Sequence, residues 1–324
     1  MDEKKTKAIA LKGRRKKHKD RKKTLILLSM VAPTSIWLIL LRYIPLFGIV
    51  IAFKNYKVYT KAPTLINNVI HSKWVGFKNF FFIFATTDSL KFIRNTVCYN
   101  LVFILCGLIL SVSFAIMLNE ITHKFVAKTY QTLMFFPYFI SWVVASYFVA
   151  ALLDPSNGLI TRFQLEHFGA ATDFYNNPKP WPVILTLSSI WKNTGYSTIL
   201  YLAAITGIDT SLYEAAAIDG ATKWQQIKYV TIPNLRTMIS ILLIMDIGKI
   251  FNSDFGLFYN IPQNSGPLFS VTQTIDTYVY RALMQTNNIS NSTAASLFQN
   301  VIGFICIMIA NTIVKKIDED SSLF

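Results

Sequence analysis

The chain has 324 residues and a net charge of +15; 52% of its residues are hydrophobic, only 15% are charged, and the mean hydropathy is +0.39. A soluble domain carries about 25% charged residues, and a disordered chain needs low hydrophobicity. The composition excludes a disordered chain, argues against an ordinary soluble enzyme, and directs attention to long apolar runs.

Residues 1–23 hold twelve Lys and Arg against Asp2, Glu3 and Asp20, which is +9 of the chain's +15. No aromatic residue interleaves with these charges, so nucleic acid is not the expected partner. The segment reads as a basic cytoplasmic tail ahead of a first membrane span. The apolar stretch after Thr24 is too long for a signal-peptide core and ends without a clean small-residue cleavage site, so it is expected to be retained.

Crossing ~30 Å of hydrocarbon takes about 20 helical residues. Six segments qualify: 25–53, interrupted by Pro33, Arg42 and Pro45, then 92–118, 130–153, 182–206, 237–259 and 294–314. The expected architecture is an all-α integral membrane protein of six transmembrane helices, with residues 24–314 as one domain and 315–324 as a short cytoplasmic tail. An even number of spans puts both termini on one side, and the basic tail together with Lys315 and Lys316 makes that side the cytoplasm. Segments 119–129 and 207–236 then face the cytoplasm, and 54–91, 154–181 and 260–293 face outward. The six lysines of segment 54–91 run against this orientation. The denser cluster precedes the first span, which usually sets the topology. Within that loop, Trp74–Phe84 is aromatic-rich and expected to lie as a short helix in the membrane interface.

Cys98, Cys106 and Cys306 lie in apolar runs without a CxxC pair, and His18, His71, His123 and His167 have no ligand spacing, so neither a metal site nor a disulfide framework is expected. No G-x-x-x-x-G-K-[ST] phosphate loop occurs. The chain has no cluster of His, Asp or Glu suited to an integral-membrane enzyme acting on lipid or glycan. An ion-coupled carrier would need its own coupling-ion site and, in most cases, more spans or inverted repeats.

The loop 207–236 is the most informative segment. Ser211 with Glu214, and Thr222 with Gln225, read as capping boxes. Gly220 is the expected stop between two helices, and Pro233 the expected end of the second. Ala215–Ala217 would leave a small-residue surface open to another protein. Glu214-Ala215-Ala216, Gly220 after three intervening residues, and Val230-Thr231-Ile232-Pro233 after nine more resemble the signature of permease subunits in binding-protein-dependent ABC importers. Val and Ile replace Ile and Leu in the last element. Tyr43–Tyr56, Phe139–Val144, Ile275–Tyr280 and Ala294–Gln299 resemble the polysaccharide and oligosaccharide permeases of the maltose-type group. The resemblance implies a type I importer permease fold in a bacterial plasma membrane, with Glu214–Gly220 as a cytoplasmic coupling helix. It further implies that a second homologous permease, two copies of an ABC ATPase and an extracytoplasmic solute-binding protein are partners, with ATP and Mg held on the ATPase subunits and no cofactor or catalytic residue on this chain. Lipid surrounds it.

Polar residues inside spans are the remaining signal. Asp246, Lys249 and Ser253 recur at i, i+3 and i+7 on one helix face, flanked by Asn252 and Asp254. Asp246 and Lys249 would either line a sugar pathway or form a structural ion pair. Asn100, Lys192, Asn193 and Tyr196 complete the candidate pathway, and interhelical hydrogen bonding is the competing explanation for each. In the outer loops, Asp154–Gly158 reads as a turn, and Ser270 with Gln273 as the start of a helix lying against the bundle.

Overall fold

The computed structural model describes residues 22–58, 64–85, 87–318 and 322, so the basic tail lies outside it apart from Lys22 and Lys23. The regular elements among the described residues are helical except for one antiparallel ladder of Lys54–Asn55 against Lys73–Trp74. Four helices are long and apolar enough to cross a membrane: Lys22–Phe53, Ser89–Asn119, Lys223–Gly248 and Ile289–Ile317. A fifth crossing is a broken pair, Lys124–Phe139 and Trp142–Leu153, bent by 99°. The helix Trp181–Thr206 has 26 residues, about 39 Å at 1.5 Å each, but its composition is less apolar. It forms the centre of the bundle, with Trp181, Leu185, Ser189, Lys192, Thr194, Thr198, Tyr201 and Ile205 all buried.

Two expected spans differ in form. The third is one segment, 130–153, in the sequence reading, yet the chain breaks at Ile140 and Ser141. Pro137 weakens the last turn of the first half. Ile140 is extended, and the Ser141 hydroxyl caps the second half by accepting from Val144 N at 3.3 Å. The fifth does not run 237–259. It starts at Lys223, stops at Gly248, crosses an irregular segment 249–254 and resumes as Phe255–Asn260. Pro233 therefore does not end a helix. A π turn over Ile227–Thr231 lies directly before it, and a similar turn at Ile39–Tyr43 precedes Pro45. In each case the carbonyl four residues before the proline, Tyr229 or Leu41, falls inside the widened turn. The ring clash is relieved and the helix continues.

The connecting segments sort to two ends. Glu120 pairs with Lys223 at 3.4 Å, and Arg236 with Asp318 at 3.6 Å, which gathers the 119–123 turn, the 207–222 loop and the C-terminal end together. At the other end Tyr56 N donates to Ser290 Oγ at 2.8 Å, Ser265 Oγ to Tyr175 O at 2.9 Å, and Asn95 Nδ2 to Ser270 O and Gln273 O. The Trp74–Phe84 segment is no single helix. It is a strand end, a 3-10 turn at Gly76–Phe80 and a short helix at Phe82–Ala85, and Phe53 packs on Trp74, Phe77 and Phe80. The outer helix begins at Ile275 rather than after Ser270, because Thr274 and Thr277 form the capping box. The Asp154 turn forms as expected, its Oδ1 accepting from Ser156 N and Asn157 N.

Candidate functional site

Two buried clusters bracket the middle of the bundle. One joins Tyr99, Trp181, Leu185, Leu257 and Phe258, and the other joins Ala115, Tyr201, Ile205 and Leu235. Of the two helices that link them, Trp181–Thr206 turns polar in between, at Ser189–Thr194. A cavity of about 430 Å³ opens there, lined by Asn100, Phe103, Ile104, Gly107, Ser189, Ile190, Asn193, Thr194, Asp246, Lys249, Asn252, Ser253 and Asp254. Five of the seven candidate pathway residues, Asn100, Asn193, Asp246, Lys249 and Asn252, are in that lining. Lys192 and Tyr196 are not. Lys192 is 8% exposed and points at the break in the third span, while Tyr196 stacks on Tyr138 with centroids 4.7 Å apart.

The irregular segment 249–254 forms one wall. Non-helical backbone at membrane depth persists only where protein buries it or where it borders a watery cavity. Here its carbonyls are taken up individually. Asn100 Nδ2 donates to Ile250 O at 2.9 Å and Asn252 O at 2.7 Å, and Gln299 Nε2 donates to Phe251 O at 2.8 Å. The Asp276 carboxylate accepts from Ser253 N at 2.6 Å and Ser253 Oγ at 2.8 Å, which ties the wall to the outer helix. Asp254 accepts from Trp142 Nε1 at 2.6 Å and caps Phe255–Asn260 through Gly256 N. Asn100 is thus a bracket for the wall as well as part of the lining. Asp246 and Lys249 both face the cavity without an N–O contact within 4.0 Å; the described ion pairs are those of Lys223 and Arg236. The sequence reading missed Phe103, an apolar residue in an apolar stretch, and Ser189 and Thr194, which stand beside the more conspicuous Lys192 and Asn193. It also missed the bracket Asp276, which lies in an ordinary-looking outer helix.

The loop of Glu214 is built differently from its expected start. Asp209, not Ser211, caps the helix Thr210–Ile218, its Oδ1 accepting from Ser211 N at 3.0 Å. That backbone hydrogen bond, with a second from the Ser211 side chain, holds the Asp209 carboxyl below the usual carboxylate range. Gly220 has φ +79°, Ala221 N donates to Ala216 O at 2.9 Å, and Gly220 N donates to Ala217 O at 3.1 Å. This pair of bonds is a Schellman closure. The Thr222–Gln225 capping box starts the next helix as expected. Tyr213 OH lies 3.0 Å from Thr231 Oγ1, tethering the short helix to the π turn near the start of the fifth span. Glu214 and Ala215 are exposed, Ala216 is half-buried, and Pro233 is exposed within the long helix. Beside them Ile218 is 87% and Trp224 70% exposed, two large apolar side chains left largely uncovered by this chain.

The family described as binding-protein-dependent transport system inner membrane component matches residues 104–319. The polygalacturonan/rhamnogalacturonan transport system permease protein YteP of Bacillus subtilis (strain 168) is 33% identical over 291 residues, 90% of this chain and 88% of that one. The sn-glycerol-3-phosphate transport system permease protein UgpA of Shigella flexneri is 29% identical over 238 residues, 74% and 78% of the two chains. Among solved structures, a bacterial ABC transporter involved in import of the acidic polysaccharide alginate superposes with a TM-score of 0.82 at 30% identity, covering 93% of this chain and 98% of that one. The bacterial alginate ABC transporter in complex with an alginate pentasaccharide-bound periplasmic protein gives 0.80 at 31% identity, covering 92% and 97%. A mid-bundle cavity beside a broken span, an exposed two-helix loop and these likenesses agree: the chain belongs to the family of binding-protein-dependent transport system inner membrane components, and is a membrane permease rather than an enzyme.

Proposed function

We propose that this permease imports oligosaccharides, in a bacterial plasma membrane with both termini cytoplasmic, and takes its substrate from an extracytoplasmic solute-binding protein. A second homologous permease completes the pathway, and two ATPase subunits, which hold the ATP and Mg, drive it. The observation that carries the reading is the mid-bundle cavity, one wall of which is the break in the fifth span. A site at half-depth beside a discontinuous helix suits alternating access, because small rigid-body movements then open it to either side. Its amides and hydroxyls, with Lys249 and Asp246, suit a ligand rich in hydroxyl groups. Relatives that handle polygalacturonan, rhamnogalacturonan and alginate make uronate-containing saccharides the first to try.

The short helix Thr210–Ile218 is the coupling element in this reading. Glu214, Ala215 and Ala216 present a surface flanked by exposed Ile218 and Trp224, which a partner would cover. Gly220 sets the angle to the next helix, and Pro233 lies in the continuous helix that leads from there to the cavity wall at Lys249. Movement imposed on the loop thus reaches the cavity along a single helix, Lys223–Gly248. The test is purification of the chain from its native membranes followed by reconstitution. An ATPase subunit should co-purify, and saccharide-loaded binding protein should stimulate hydrolysis and uptake. Purification without an ATPase, or uptake driven by an ion gradient alone, would refute the reading in favour of an ion-coupled carrier.

A further inference from the structure

Lys192 is the one buried lysine among the described residues, and it has no carboxylate partner within 4.0 Å. Its ammonium instead meets the C-terminal end of the helix Lys124–Phe139. It donates to Tyr138 O at 2.9 Å, to Pro137 O at 3.4 Å and to Ile140 O. Pro137 O also accepts from Ile140 N at 3.1 Å, while Tyr138 O and Ile140 O lie at the break, at the end where the helix dipole places partial negative charge. A compact ammonium with three rotatable donors can satisfy converging carbonyls, which a planar guanidinium cannot do as well. The same Nζ sits over the rings of Tyr138 at 5.8 Å and Trp142 at 5.3 Å. It therefore grips residues on both sides of the 99° bend.

The grip leads onward to the cavity. The Trp142 indole N–H donates to Asp254 Oδ2 at 2.6 Å, and Asp254 is in the cavity lining. A Cβ on Gly256 would collide with the Trp142 ring, so indole and wall are in close contact. On the same helix as Lys192, Ser189 and Asn193 face the cavity directly.

We propose that Lys192 is a positioning residue for transport: its ammonium caps the break in the third span and, through Trp142, fixes where the Asp254 wall of the cavity stands. The effect on uptake rests on the cavity being the transport pathway, but the cap itself does not. In this arrangement Lys192 never touches substrate, and its loss alters the shape of the cavity rather than its chemistry.

The experiment uses the full chain in its assembled transporter, comparing wild type, Lys192→Met, Trp142→Phe and the double variant. Hydrogen–deuterium exchange over residues 138–145 reads the cap, and saccharide uptake reads KM against maximal rate. Lys192→Met keeps the apolar stem and removes the donors. It should speed exchange across the break tenfold or more and raise KM at least threefold. Trp142→Phe keeps a ring under the ammonium and deletes only the indole N–H. It should leave exchange within twofold of wild type yet raise KM, and the double variant should be no worse in KM than Lys192→Met. Unchanged exchange in Lys192→Met overturns the cap. Faster exchange with unchanged KM, or additive KM effects, overturns the positioning role and leaves a structural one. Should Lys192→Met fail to accumulate, Trp142→Phe decides alone, and a wild-type KM there overturns the link to Asp254. If wild type takes up no saccharide, the functional assignment fails, while the exchange measurement still decides the cap.

Discussion

Gly220 offers the sharpest test of the coupling loop, because space and backbone conformation can be separated there. No atom lies within 4 Å of where its Cβ would be, so a side chain meets no steric obstacle. Its φ of +79° is the whole constraint. An L-residue in this left-handed region costs about 1–2 kcal/mol, Asn less than most, and a β-branched residue the most. A strain of about 1.4 kcal/mol shifts a local equilibrium tenfold, enough to open the Schellman closure at Ala216 and Ala217 and release the angle between the two loop helices. Gly220→Val should therefore insert at the wild-type level, since the position is exposed and outside the spans, yet lose most uptake. Gly220→Ala should be intermediate and Gly220→Asn near wild type. The assay is saccharide uptake in membrane vesicles, together with retention of the ATPase and its hydrolysis rate. Equal damage from Val and Asn would show that exposed surface rather than φ matters. Wild-type uptake by Gly220→Val would remove this loop as the coupling element.

Gly195 should tolerate no side chain at all, because its Cβ would overlap the Met134 carbonyl where the fourth span packs on the third. Gly195→Val should lower the thermal midpoint in detergent by the equivalent of ~3 kcal/mol or more, and an unchanged midpoint would contradict this packing. Asn100→Leu leaves the Ile250 and Asn252 carbonyls without their donor, at about 1 kcal/mol or more for part-buried acceptors; urea or thermal denaturation of the solubilised protein should show the loss. Asp246→Asn and Lys249→Gln should each reach the membrane in wild-type amount but transport poorly, since neither holds the other in an ion pair; recovery of uptake in the double variant would show a structural pair instead. Asp209, whose carboxyl is held below the usual range, keeps its cap fully above the ordinary aspartate pKa and loses it only as pH falls through the lowered value. A carboxyl ¹³C titration showing an ordinary or raised value would refute the cap.

The sequence by itself determined the parts that depend on local chemistry. Apolar length located the crossings, because backbone groups in hydrocarbon must be satisfied within a helix. The Glu214–Gly220 spacing located the exposed loop, and Gly220 was readable as a left-handed stop because few other residues adopt that conformation. Thr222 and Gln225 were readable as a cap because a capping box spans only four residues. Where two local candidates competed, the sequence could not choose: Asp209 displaced Ser211, and Thr274 displaced Ser270, each through which side chain reached the free amides first.

Tertiary structure alone decided where helices break. A proline permits a kink without requiring one, and Pro233 and Pro45 are absorbed by π turns while the third span parts near Pro137. The difference lies in partners from distant parts of the chain. The carbonyls at the third-span break are met by Lys192, some 50 residues away, and those of segment 249–254 by Asn100, Gln299 and Asp276 through its hold on Ser253. Exposed backbone at membrane depth is too costly to persist unless such donors arrive. Lys192 looked like a pathway residue because a lone charge in a span suggests a route for polar solutes. Only the folded chain shows that its ammonium is spent on the backbone of the neighbouring helix, which leaves Asp246 and Lys249 to face the open cavity.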